Sequence, residues 1–356
     1  MQLKKDDNLE LQYKVGIACM RRSEFSMSQT YLNAVMEFNS DQINLNFLAL
    51  YALAISYHHL QEYQTAIISF TECLRQLKND PTIFLYEGHV QYWIGKSYYE
   101  MSNFTRATEA FLAALRIYNT YKSKVDDRII HKSLHLLGNT HFKNRQLKLA
   151  LKCYEEEIAL CRRGIPNMTF GENSLSEAYF CAGTIYAKRG MLNDASSYFE
   201  NALETRKRFE GEENDKVAKI LHRLGTIYLK KNEFTKAREK LTDAHGILHK
   251  TNGPNDVSTT AVEFKIGQTF DQLKDFQIAF QYYEQCLRAR ENIYGYENEE
   301  VALTLFFMGR NAYLRSRTDE SIEYFEEVSR RLALIKHFSL SNVKLFTIQL
   351  ILCLPL

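Results

Sequence analysis

The chain has 356 residues, with 45 Lys+Arg against 43 Asp+Glu and a formal net charge of +2. That balance excludes the basic stripe of a nucleic-acid binder and the charged tail of an acidic solvating segment. Hydrophobic residues at 45%, aromatics at 13% and only four prolines predict a folded, soluble, all-α chain with a continuous apolar core.

In chain order, residues 1–9 read as an N-terminal extension without the apolar run of a signal peptide. From residue 10 to 333 one arrangement returns eight times. A small anchor lies inside a helix, and a second small residue follows twelve positions later. The anchors are Gly16, Ala54, Gly95, Gly138, Gly183, Gly225, Gly267 and Gly309; their partners are Ser28, Ala66, Ala107, Ala150, Ala195, Ala237, Ala279 and Ser321. The last four anchors fall 42 residues apart, and a fixed period of this size predicts a solenoid of stacked helical hairpins.

The spacing carries its own packing logic. An aromatic stands three residues after the anchor in Tyr57, Tyr98, Tyr186, Tyr228 and Phe270. Another stands sixteen after it in Phe70, Phe111, Tyr154, Phe199, Tyr283 and Phe325. Small residues let two helices approach, and large ones fill the space beside the contact. Ser102-Asn103 suits the turn between two helices. Pro81, Pro166 and Pro254 fall between repeats, where a helix must stop. Gly211, Gly253 and Gly295 stand fourteen residues before an anchor; they are expected to close outgoing helices in the left-handed conformation, with Asn214 and Asn298 capping the incoming ones.

These residues, above all Leu224-Gly225-Thr226-Ile227-Tyr228 with Ala237 and Ala244, resemble the tetratricopeptide repeat (TPR). The 42-residue period and the Gly-x-x-Asn-x-x-Val-Ala junctions are most similar to the kinesin-light-chain type. That resemblance implies a right-handed superhelical solenoid of about eight TPR hairpins. Kinesin light chains carry a coiled coil ahead of their repeats that joins the motor. Only about ten residues precede the first repeat here, so at most the cargo-binding role is expected to carry over. Residues 334–356 read as the first helix of a truncated ninth repeat, since Ile351 lies 42 residues after Gly309. Its uncapped apolar end makes self-association an expectation.

Chemistry-bearing patterns are weak. Gly95-Lys96-Ser97 lacks the upstream glycine and the strand that a phosphate-binding loop needs. His131 with His135, and His245 with His249, are helical i,i+4 pairs with no third ligand in the sequence, and Glu155-Glu156-Glu157 reads as a solvated face. The seven cysteines have no CxxC spacing, which favours a reducing compartment. Cys353-Leu-Pro-Leu fits a prenylation box only formally, and the apolar stretch before it is too short to span a bilayer. No enzyme activity, metal or cofactor is expected, nor a nucleic-acid partner.

In this family the first helix of each hairpin lines the concave groove, so positions flanking the anchors point inward. There stand Lys96, Lys132, His135, Asn139, Lys219, His222, Thr226, Gln268, Asp271 and Arg310. Their basic lean suggests an acidic peptide or helix of a partner protein. His135 and Asn139 imitate half of a Lys–Asn carboxylate clamp, but Phe180 occupies the other half. The reading is a cytoplasmic adaptor that binds a partner in its groove. Its alternative is a peptide-switched regulator of an enzyme or transcription factor.

Overall fold

A computed structural model describes residues 2–37, 43–77, 84–163 and 169–334. Its compact units are two, one running to residue 182 and one starting at residue 183. Among the described residues sixteen α-helices form eight consecutive hairpins, with no strand. The first unit holds α1 (Gln2–Arg21) with α2 (Phe25–Glu37), α3 (Ile43–His59) with α4 (Tyr63–Leu77), α5 (Phe84–Glu100) with α6 (Phe104–Thr120), and α7 (Asp127–Lys143) with α8 (Leu147–Arg163). The unit boundary falls inside α9 (Thr169–Lys188), whose hairpin partner is α10 (Leu192–Glu210). The second unit continues with α11 (Asp215–Lys230) and α12 (Phe234–Thr251), α13 (Val257–Gln272) and α14 (Phe276–Tyr294), and α15 (Glu299–Leu314) and α16 (Thr318–Leu334).

The anchor spacing sets each hairpin. A methyl group added at the anchor glycine would meet the residue sixteen positions on: Leu32 for Gly16, Phe111 for Gly95, Tyr154 for Gly138, Leu241 for Gly225 and Tyr283 for Gly267. The partners twelve residues after the anchors are buried in every hairpin. In the glycine-anchored repeats two helices therefore touch backbone to side chain at one point, and the large residue there is fully or nearly fully buried in all but Phe325.

The turn between the two helices is equally regular. Seven residues after each anchor the backbone takes a positive φ, at Ser23, Gln61, Ser102, Arg145, Gly190, Asn232, Lys274 and Ser316. The next N–H then donates back to the carbonyl three residues after the anchor, as in Asn103 to Tyr98, Glu233 to Tyr228 and Asp275 to Phe270, each at 2.9 Å. This is the six-to-one bond that closes a helix around a left-handed residue. The carbonyl of that same donor residue accepts the first bond of the next helix, from the small partner: Ala107 to Asn103 and Ala237 to Glu233, at 3.0 Å. One residue thus ends one helix and starts the next.

Two sequence expectations change in detail. Gly211 and Gly295 do end helices with positive φ, at 80° and 77°, but their ψ values of −178° and 176° place them outside the left-handed helical well. That extended positive-φ region is essentially restricted to glycine, so these positions demand it more strictly. Asn214 and Asn298 cap as expected, accepting from Lys216 and Val217, and from Glu300. At the other end, α1 begins at Gln2, so residues 2–9 continue the first hairpin's helix, and Leu9 is buried in its core. The C-terminal stretch read as a ninth repeat, residues 335–356 with Cys353, lies outside the described residues.

Gly267→Ala is expected to cost about 1–3 kcal/mol, because its new methyl group would stand 2.5 Å from Tyr283, which is fully buried and hydrogen-bonded to Asp271. Gly183→Ala meets Phe199 only at 3.2 Å and gains helix propensity, so its net effect stays within about 1 kcal/mol. Urea unfolding of the two variants checks the order; equal midpoints would refute it.

Candidate peptide-binding face

Within each unit the first helices of neighbouring hairpins touch one another: α1 with α3, α3 with α5 and α5 with α7 in the first unit, α11 with α13 in the second. They form a row on one side, with the second helices behind them. Buried polar stitches hold this row in register. His58 of α3 meets Ser97 of α5 at 2.9 Å, and Asn311 of α15 donates to Asp271 of α13 at 2.6 Å. Both join a residue four after one anchor to a residue two after the next.

In the first unit, the Lys96 ammonium lies 4.4 Å from the centre of the Trp93 ring. Burial lowers its pKa against the opposing charge of Glu100, and the nearby charge of Lys132 adds to the lowering. Lys132 itself is exposed. His135 and Asn139 are engaged inside their own hairpin. His135 Nδ1 lies 3.1 Å from Oε2 of the fully buried Glu157, and Asn139 accepts from the Tyr154 hydroxyl at 2.6 Å. Burial alone would lower His135, but its bond to Glu157 and the charges of Glu157 and Glu177 outweigh that and raise it. Glu157 also accepts from Ser174 at 2.5 Å, so this glutamate is a structural core acid and not part of a solvated face. Gly95 and Ser97 sit in helix α5, packed on Phe111 and bonded to His58.

The second unit gathers more of the expected residues. Gln268, Asp271 and Arg310 line one cleft of about 270 Å³, together with Asn232, Phe234 and Phe307. Arg310 holds its guanidinium 5.8 Å from the Phe307 ring centre. Asp271 is a wall and not a free ligand group. Buried at 6% exposure, it accepts from Tyr283 at 2.8 Å and from Asn311. Burial raises its pKa against the lowering by Asn311, Tyr283 and Arg310. Lys219 is exposed on α11, and Thr226 donates to the His222 carbonyl at 2.8 Å. His222 is pushed down to about 4 by burial and by the charges of Arg223 and Lys265.

The sequence reading passed over Lys265, Asn232, Trp93 and Phe307. Lys265 donates to Gln268 at 2.9 Å, and its pKa is lowered by burial and by Lys230 and Arg290, against Glu300. It sits two residues before an anchor, a position the inward-facing pattern did not include. Among the described residues no three His, Cys, Asp or Glu side chains stand where they could hold a metal ion, and no helix is long and apolar enough to cross a membrane.

Family profiles described as tetratricopeptide repeat match residues 174–250, 256–333 and 49–83. Together these take in more than half of the chain, which belongs to the tetratricopeptide repeat family. Such repeats bind protein or peptide partners. The chain is 23% identical over 260 residues to anaphase-promoting complex subunit CDC16 of Saccharomyces cerevisiae; this covers 72% of the chain but only 27% of that protein, about a quarter of its length. In structure it is similar to the apo form of RapI, with a TM-score of 0.69 at 12% identity over 91% of this chain and 86% of that one. A putative kinesin light chain of Podosopora anserina, with nearly identical TPR-like repeats, matches at a TM-score of 0.52 and 17% identity, covering 60% of this chain and 100% of that one. At these identities the likeness is one of fold.

The histidines make stability pH-dependent. Burial holds His58 down at about 3, aided by the charges of Lys96 and His59, and holds His222 at about 4. In the unfolded chain both titrate near 6.5, so below that pH the unfolded state takes up protons that the native state refuses. Stability from these two groups is present above 6.5 and falls as pH drops toward 4. His135, raised, acts with the opposite sign: it favours the native state below 6.5 and loses that contribution as pH rises through its folded value. The urea midpoint is expected to fall between pH 7 and pH 5, and to fall less in His222→Phe. An equal fall in wild type and His222→Phe would show that the His222 imidazole is not held neutral.

Proposed function

We propose that the chain is a non-catalytic adaptor that binds an acidic segment of a partner protein on its first-helix face. The observation that carries this reading is the cleft of the second unit. It places Arg310 and the amide of Gln268 beside Phe307 and Phe234, so charge and apolar area are offered together. Lys265, bonded to Gln268 and crowded by Lys230 and Arg290, extends the positive character along the same row of helices. A carboxylate arriving there would relieve repulsion among cations while its neighbouring side chain covers the aromatic rings. Such buried charged and aromatic anchors dominate interface energies, with the remaining contacts serving complementarity. Lys96 over Trp93 offers the same pairing in the first unit. Self-association and a cytoplasmic setting belong to this proposal as well.

The test is capture of partners from lysate by the purified chain, followed by affinity measurement on a captured partner. Arg310→Glu is expected to weaken binding at least about ten-fold, the size of one interface hot spot, and Lys96→Glu less. Wild-type binding should fall as salt rises from 50 to 300 mM. Equal retention of the partner by wild type and Arg310→Glu would move the site off this face.

A further inference from the structure

A second cleft of the unit beginning at residue 183, of about 710 Å³, is lined by α12, α13 and α14 and shares no residue with the Arg310 cleft. His245 and His249 stand one turn apart on α12, their ring centres 5.6 Å from each other. Across from them is Glu263 of α13, only 4% exposed, with Oε1 at 3.1 Å from His245 Nε2. Its other oxygen, Oε2, is buried with no hydrogen-bond partner. The hydroxyl of Thr259, four residues earlier and so on the same side of α13, is likewise buried without a partner. Of the two, Glu263 lines the cleft, and an unanswered buried carboxylate oxygen there marks a place where a donor from outside belongs. The cleft walls also include the Tyr282 ring and Ile278, which is 40% exposed.

We propose that this cleft takes the side chain of a lysine presented by a partner protein. The aliphatic stem lies on Ile278 and Tyr282, and the ammonium donates to Glu263 Oε2. An ammonium is a compact cation that can meet the one carboxylate oxygen left open. A guanidinium is matched less well, because its planar fork wants both oxygens of one carboxylate and His245 already holds Oε1. Long side chains of this kind bury their methylene stem while the charged head finds a polar partner. Arg288, the permanent cation on the cleft wall, is paired with Glu284 at 2.7 Å. The two histidines and Glu263 do not converge on one point where a metal ion could sit.

The experiment follows the imidazole NMR signals of His245 and His249 in the full chain while n-butylammonium, the lysine side-chain analogue, is added. A saturable shift is expected, with none from 1-butanol. Glu263→Gln should weaken the response ten-fold or more and Tyr282→Ala several-fold, while Arg310→Glu leaves it unchanged. Circular dichroism checks the fold of each variant, and Tyr282→Ala carries the test if Glu263→Gln unfolds, since that ring is only partly buried. Absence of a saturable shift, an undiminished shift in Glu263→Gln, or preference for n-butylguanidinium would overturn the assignment.

Discussion

Seven of the eight hairpins depend on one contact, in which a glycine on the first helix faces a large residue sixteen positions later on the second, and the second hairpin carries the small Ala54 at that place. Without a Cβ at Gly267 or Gly138, the Tyr283 or Tyr154 ring lies against backbone, and the two helices approach closely enough to close a core with little other material. The tight turn follows from it. Helices held this near must be joined in very few residues, so the chain accepts a positive φ at Arg145 and Lys274, where an L-residue is ordinarily disfavoured. The same close approach leaves the first helices of successive hairpins in contact, which creates the row of side chains that a partner can meet.

That row is less open than its polarity suggests, because solenoid stacking also needs polar glue. Asp271 is consumed by Tyr283 and Asn311, and His135 by Glu157. Each is polar for internal reasons: a buried acid or hydroxyl must be hydrogen-bonded, and the nearest suitable donors or acceptors come from the adjacent helix. What remains for recognition is the set of cations that have aromatic rings beside them and few acids opposite. Lys96 on Trp93 and Arg310 on Phe307 are of this kind. Where a buried acid lacks part of its complement, as Glu263 does, the incomplete network becomes a feature for binding instead of cohesion.

The hairpins were legible because their signals are local. The small residues at fixed spacing, the large residue sixteen on, the Ser102-Asn103 turn and the capping asparagines all act within one repeat, and Asn103, Asn214 and Asn298 do what their positions imply. The backbone of Gly211 and Gly295 was misjudged in detail, since position alone does not say whether a helix ends in the left-handed well or in the extended positive-φ region. The candidate face was legible only as a list of positions. Lys265 was missed because the inward-facing rule is a rule about one helix, whereas its setting is made by Lys230, Arg290 and Glu300 from three others.

The amino-acid sequence by itself determined that this protein is a run of helical hairpins of one repeating kind, because each glycine-anchored hairpin's closest contact joins residues sixteen apart. Which inner-face side chains are free and which are spent depends on pairs such as His58 with Ser97 and Asp271 with Asn311. Those partners lie about forty residues apart and on different helices, and no local pattern marks them. Only the stacking of one hairpin on the next brings them together, so only the tertiary structure decided where a ligand could be met.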